Sequence, residues 1–331
     1  MVLYYNNLEG AIPPEIAHLT HLEEIHLMGG PTNYISGSLP SELGYMVNLR
    51  DVQLSDNRLT GNLPSTLEAW HEMQYLDLSK NALSGRLTNE VVGGWSALTE
   101  LHLSSNLFTG PMPLTWAQSL VFLELDNNSL TGPLPASMGN LQDLRLLSLD
   151  YNRFTSLPSG LVSLIVLEDF SIVGNELAGP LMPELGFLPR LRSLRLSNNT
   201  LTSTIPTEFG ELARLISVLD LSNNELEGEI PSQLGQINDR LRSLRLSGNR
   251  LSGSLPASLA NLNRLAEIRL EDNDLTGAVP VEVCDVWYEE LPTVYADCGE
   301  IDCPCCNFCC IDGEGCLCRY ADDPELAWRC Y

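Results

Sequence analysis

The sequence predicts an α/β solenoid: short parallel strands stacked coil on coil, each returning through a helical or 3₁₀ segment. Two observations carry this. An asparagine recurs at Asn6, Asn33, Asn57, Asn81, Asn106, Asn128, Asn152, Asn175, Asn199, Asn224, Asn249 and Asn273, at a mean interval near 24 residues. Around each, one frame repeats, LxxLxLxxNxLxGxLP, cleanest as LRDVQLSDNRLTGNLP from Leu49 and LRSLRLSGNRLSGSLP from Leu241. No such unit can bury its apolar face alone, so the copies must stack.

The elements follow from the frame. In LxxLxLxx the alternating apolar residues, such as Leu76 with Leu78 or Leu244 with Leu246, point inward from a short strand, and the residues between them face solvent. Stacking sets these strands side by side as a parallel sheet on the concave face. The asparagine stands where the chain turns away, and its amide can serve backbone groups that the turn leaves unpaired, coil after coil, as a ladder. Two residues on, Leu59, Phe108 and Leu130 return to the core. The glycine that follows permits a bend without a Cβ, and the proline restricts the chain after it. Segments such as Ser41 to Leu49 carry apolar residues at helical or 3₁₀ spacing and form the convex return.

Three copies depart from the frame. Between Leu27 and Asn33 lie three extra residues with Gly29, Gly30 and Pro31, a small loop at the strand exit. After Asn81 the proline is replaced by Leu87-Thr88, followed by Gly93-Gly94, and after Asn152 one residue is missing before Pro158. With about 12 copies this is a leucine-rich-repeat superhelix over residues 1–281, with residues 282–297 as a C-terminal cap and residues 298–331 as a Cys-rich tail. The first repeat is incomplete and no paired-Cys N-terminal cap precedes it, so the chain reads as a fragment whose signal or membrane anchor would lie outside it.

The chain carries 43 acidic and 18 basic residues, net charge −25, which argues against a nucleic-acid partner. It has no apolar run long enough to span a bilayer. There is no GxSxG, HExxH or phosphate-binding glycine loop, and no nucleophile beside a base, so no catalysis, cofactor or metal is expected. His26 and His102 share a column three strands apart, too distant for one ion at a strand spacing of about 4.8 Å.

The G-x-[LI]-P element resembles that of plant-type leucine-rich repeats, as in receptor-like kinase and receptor-like protein ectodomains and polygalacturonase inhibitors. The tail, with Ala296-Asp297-Cys298-Gly299 and then CPCCNFCC from Cys303, resembles the terminus of diatom leucine-rich-repeat proteins of receptor-like type. These resemblances imply a cell-surface or extracellular protein that binds a protein, peptide or glycan ligand, with a co-receptor as a further partner. The alternatives they leave open are a secreted inhibitor of wall-degrading hydrolases and an adhesion or scaffold protein.

Two zones emerge on the outward positions. An acidic floor with aromatics gathers Asp51, Tyr75, Asp77, Glu100, His102, Phe122, Glu124 and Tyr151. Aromatics among polar groups suit a protein, peptide or glycan contact. A basic stripe of Arg195, Arg245 and Arg269, with Asp220 between, offers guanidinium forks to a carboxylate or sulfate. Two glycosylation sequons, at Asn127 and Asn198, fall beside ladder asparagines.

After Pro280 the apolar rhythm is expected to stop, with Val281, Val283, Val286, Trp287, Leu291 and Val294 forming a cap. Cys284, Cys298, Cys303, Cys305, Cys306, Cys309, Cys310, Cys316, Cys318 and Cys330 are the disulfide candidates. Their density suits an oxidising compartment. Cys284 with Cys298 is a plausible staple, and thiolate-metal ligation of the tail is the alternative to disulfides.

Overall fold

A computed structural model of the 331-residue chain describes all residues except 4–5, 31–33, 213–214, 238–239, 291–292, 298–300, 303–307, 312–314 and 319–331; for 287–290, 302, 308–311 and 315–318 the backbone alone is described. Two compact units divide it: Met1–Leu167 with Gly174–Glu176, and Glu168–Val173 with Leu177–Tyr331.

In the first unit the alternating frame builds a main parallel sheet from Glu24–His26, Asp51–Gln53, Tyr75–Asp77, Glu100–His102, Phe122–Glu124 and Leu146–Ser148, neighbours in that order. Register is uniform, so Val52, Leu76, Leu101, Leu123 and Leu147 form one inward column, each almost wholly buried. Behind them, Leu59, Phe108 and Leu130 are fully buried from a second parallel sheet that starts at Glu9–Ala11 and ends at Arg153–Phe154. Gly61, at φ 77°, makes the bend leaving that sheet in a conformation a Cβ would oppose.

Most returns are 3₁₀ helices started by the proline of the frame; the return after Asn106 keeps Pro113 but forms no helix. Pro64 is extended (φ −60°, ψ 138°), and its carbonyl accepts from Leu67 N at 3.1 Å ahead of Ser65–Ala69. Where the proline is lacking, after Asn81, the return is an α-helix, Asn89–Gly94, whose N-cap Thr88 hydroxyl accepts from Val91 N at 3.4 Å. The copy that lacks one residue before Pro158 has a strand of only two residues, and the second sheet ends there.

The second unit repeats the plan. Its main sheet runs Asp169–Ser171, Ser193–Arg195, Val218–Asp220, Ser243–Arg245 and Glu267–Arg269, with Ala178–Pro180 to Asp274–Leu275 behind. Neighbouring returns pack tightly. A Cβ on Gly210 would stand 2.5 Å from the Gln233 carbonyl oxygen, so only glycine fits.

The rhythm expected to stop at Pro280 continues. The helix Val281–Glu290 takes the place of a return, and Thr293–Asp297 pairs in register with Glu267–Arg269. Phe308–Ile311 adds in parallel and Gly315–Cys318 antiparallel. The physical reason is a degenerate thirteenth copy of the frame, Leu291-Pro-Thr-Val294-Tyr-Ala296, whose Val294 and Ala296 are fully buried. Val283 is buried as expected, whereas Val281, at the helix start, is 66 % exposed. Trp287 and Leu291 lie outside the described side chains. Cys284 is disulfide-bonded. The side chains of Cys298, Cys303, Cys305, Cys306, Cys309, Cys310, Cys316, Cys318 and Cys330 lie outside the described residues. Among the described residues no helix is long and apolar enough to cross a membrane.

The ladder joins the coils. Asn152 donates through Nδ2 to Leu125 O of the preceding coil at 2.9 Å and to Leu149 O and Asp150 O of its own at 3.2 Å, and Oδ1 accepts from Leu130 N at 3.0 Å. Asn57, Asn81, Asn106, Asn128, Asn175, Asn199, Asn224, Asn249 and Asn273 bond back to the preceding coil in the same way. Asn6 is exposed, and Asn33 lies outside the described residues. Asn152→Ala strands a buried amide and a buried carbonyl, an expected loss of about 3 kcal/mol. Hydrogen exchange at the Leu130 amide should accelerate in this variant, and unchanged protection would contradict the ladder's role.

Candidate ligand-binding face

The uniform register brings the predicted acidic zone together. Asp51, Tyr75, Glu100 and Phe122 stand in one solvent-facing column of the first unit, and Asp77, His102 and Glu124 in the next, on four adjacent strands spanning roughly 14 Å. All seven are half-buried, with backbones set on a fully apolar layer.

Their contacts differ. Asp51 is held by Gln53 Nε2 (3.0 and 3.2 Å), and its Oδ2 lies 2.9 Å from His26 Nε2. Asp77 Oδ1 accepts from Ser79 N at 2.9 Å and Ser79 Oγ at 2.6 Å. His102 Nδ1 and Glu124 Oε2 are 2.7 Å apart, whereas His102 Nε2 is 3.6 Å from Glu100 Oε2, an ion-pair distance too long for a hydrogen bond. The Tyr75 ring lies against His102 at 5.3 Å between centroids, tilted by 41°.

The electrostatics follow. Burial first, then the charges of Asp77, Glu100, Asp51 and Glu124, push the Tyr75 phenol up to about 12, so it remains a donor throughout the physiological range. Burial opposes the charged form of His102, but the hydrogen bond and charge of Glu124, with Asp77 and Glu100, outweigh it and raise the ring above 6.5. A raised folded value means this contribution to stability is fully present below the unfolded value near 6.5 and is lost as pH rises through the folded one. Glu124→Gln should move the His102 NMR titration midpoint down. An unmoved midpoint would rule out Glu124 as the cause.

Tyr151 stands one residue before a ladder asparagine, as do Asp56, Lys80, Ser105, Asn127, Asn198, Asn223 and Asp272, and all adopt left-handed φ between 52° and 58°. Such a conformation suits Asn, Asp or Gly and strains a bulky residue. Tyr151 is nevertheless 57 % exposed. It packs so closely over Gly174 that a Cβ there would be 2.7 Å from its ring. Tyr151→Asn should raise stability by about 1 kcal/mol by relieving this strain. An unchanged or lower melting temperature would show that ring packing outweighs the backbone cost. The sequon residues Asn127 and Asn198 are both exposed at this same turn.

The basic stripe of the second unit lies in one column, Arg195, Asp220, Arg245 and Arg269 in register. The forks of Arg245 and Arg269 are engaged within the chain. Glu267 Oε2 accepts from Arg245 Nε and Nη2 at 3.0 and 2.8 Å, and Glu267 Oε1 from Arg269 Nε at 2.6 Å. Burial would raise the Glu267 carboxyl, but the two arginines hold it below its usual value. Arg269 also reaches Glu271 at 3.3 Å and stacks 4.1 Å over the Tyr295 ring. Asp220 is buried and taken by Ser222 and Ser197. Arg195 acts on Asp169, where burial prevails and raises the carboxyl.

Sequence reasoning missed three residues. Asp126 accepts from Ser148 Oγ (2.5 Å), Ser104 Oγ (2.9 Å) and Asp150 N (2.9 Å), a carboxylate committed to structure. Glu267 binds the arginines that look free in sequence. Tyr295 continues the Arg269 column, and the signal for it was the degenerate frame after Pro280.

Leucine-rich-repeat models match residues 47–108 and residues 119–141, 190–212, 216–237 and 240–262. No curated protein sequence matches. Among solved structures, a TDR receptor superposes with a TM-score of 0.82 at 30 % identity, covering 89 % of this chain and 50 % of its own. The receptor of the PEPR1–AtPEP1 complex gives 0.74 at 31 % identity, covering 89 % and 45 %. The Leptospira interrogans LRR protein LIC12759 gives 0.71 at 29 %, covering 88 % and 70 %. The chain thus spans about half the length of the two receptors. The chain is a leucine-rich-repeat solenoid, and its architecture matches that of plant-type receptor-like ectodomains.

Proposed function

We propose that this chain is the ligand-binding portion of a receptor-like cell-surface protein, and that the face of the first unit around Tyr75, Asp77, Glu100, His102 and Glu124 takes a basic peptide or basic protein segment. The observation that carries this is one contiguous floor of solvent-facing carboxylates, with aromatic rings among them. A cationic segment laid across the strands would meet Asp77, Glu100 and Glu124 within one or two strand spacings. Tyr75, held protonated, would donate to the segment's carbonyls, and Phe122 and Tyr151 supply apolar contact. The matched PEPR1 structure is itself a complex, with AtPEP1, which favours ligand binding over a purely structural role.

The test uses the full chain and synthetic peptides of matched length that are Lys/Arg-rich, neutral or Glu-rich. The basic peptide should bind, more weakly at high salt, and Asp77→Asn with Glu124→Gln should weaken it roughly tenfold. Binding should also weaken as pH falls and His102 takes up its proton. Equal binding of all three peptides, or none altered by the paired substitution, would refute the reading.

A further inference from the structure

The second unit carries a basic groove that neither the ligand face nor the fold requires. It is an open cleft of about 550 Å³ lined by Arg192, Leu215, Ser217, Arg240, Arg242 and Arg264, with no acidic residue in its lining among the described residues. The frame places them. Arg192, Ser217 and Arg242 each follow the first apolar residue of LxxLxLxx, and Leu215, Arg240 and Arg264 each precede it, so the cleft runs along the ends where the chain enters the main-sheet strands. Backbone bonds fix the spacing. Ser217 N donates to Arg192 O at 2.7 Å and Arg242 N to Ser217 O at 2.9 Å, which sets Arg192 and Arg242 two strands, roughly 10 Å, apart.

Four arginines out of 18 basic residues gather here in a chain of net charge −25. Their mutual repulsion is a cost to folding. Arg192 pairs with Glu168 at 3.1 Å, but Arg240 and Arg242 are exposed and form no ion pair among the described residues. They differ in this from Arg245 and Arg269, whose forks Glu267 occupies.

We infer that this groove binds a linear polysaccharide bearing sulfate or carboxylate groups. Guanidinium forks match both anions. The lining has no aromatic residue and one apolar one, so it offers no pocket for peptide side chains and no platform for stacked bases. In an extended peptide, side chains on one face recur about every 6.6 Å, out of step with coils about 4.8 Å apart. A glycan with an anion on each sugar ring places its charges closer to the coil interval. The site lies in the other unit from the peptide face and stands whether or not that reading does.

The experiment titrates the full chain with four labelled probes: an oligogalacturonate, a sulfated galactan oligosaccharide, a neutral galactan oligosaccharide and a Glu-rich peptide. At least one anionic glycan should bind in a salt-sensitive way, and the stronger of the two identifies carboxylate or sulfate as the group recognised. Arg240→Gln with Arg242→Gln should weaken it about tenfold or more. The control pair Arg50→Gln with Arg153→Gln, exposed in the first unit, should leave it unchanged. Failure of both anionic glycans to bind, equal loss in the control pair, or equally tight binding of the peptide would overturn the proposal.

Discussion

From Asn57 to Asn273 each ladder asparagine couples its own coil to the one before it, and the surface columns of this chain depend on that coupling. The amide of Asn152 bonds three carbonyls and one N–H, from two coils, in a site only 6 % exposed. A strand of three residues cannot hold itself in place; its position comes from the coil on either side and from the turn that ends it. Because the same left-handed turn precedes each asparagine from Asn57 to Asn273, register holds and a side chain three residues into one frame stands beside its counterpart in the next. That is how Asp51, Tyr75, Glu100 and Phe122, spread over 72 positions, become one column. The last rung shows the same rule at a boundary. Asn273 N, which elsewhere would meet a backbone carbonyl of the next coil, meets the Asp297 carboxylate at 3.3 Å.

This constraint explains what could be read from sequence. Columns follow from spacing, so the composition of each surface was legible before any coordinate. The 3₁₀ returns were legible from apolar spacing, whereas the lost proline after Asn81 marked only a departure from the frame and not the helix Asn89–Gly94. Two kinds of fact were not. Which neighbour a side chain chooses depends on rotamers and distances, and spacing carries no information on either. Arg245 and Arg269 therefore look like ligand groups in sequence and prove to be held by Glu267. The second kind is conformation shared by unlike residues. Tyr151, Lys80 and Asp272 have no chemistry in common, yet all take the left-handed turn before the asparagine. Only the backbone reveals that tyrosine is the costly choice among them.

The thirteenth coil was missed for a related reason. Its frame reads Leu-Pro-Thr-Val-Tyr-Ala, with a proline and an alanine where other copies carry polar and leucine residues, and its asparagine is gone. Val294 and Ala296 still bury fully because the preceding coil supplies the register. A neighbour can impose the fold on a copy too degenerate to declare it.

The two units treat charge differently on one scaffold. In the first, carboxylates at Asp77, Glu100 and Glu124 stand together on the solvent side of neighbouring strands, a repulsion that a cation would relieve. In the second, Glu267 is matched by two arginines on the same face, and the arginines without an ion pair among the described residues, Arg240 and Arg242, stand at the strand ends. Both arrangements rest on equally well packed leucine layers, so core packing cannot account for the difference. Uncompensated charge costs stability in either unit, and of opposite sign in each. The two proposed surfaces therefore call for ligand groups of opposite charge.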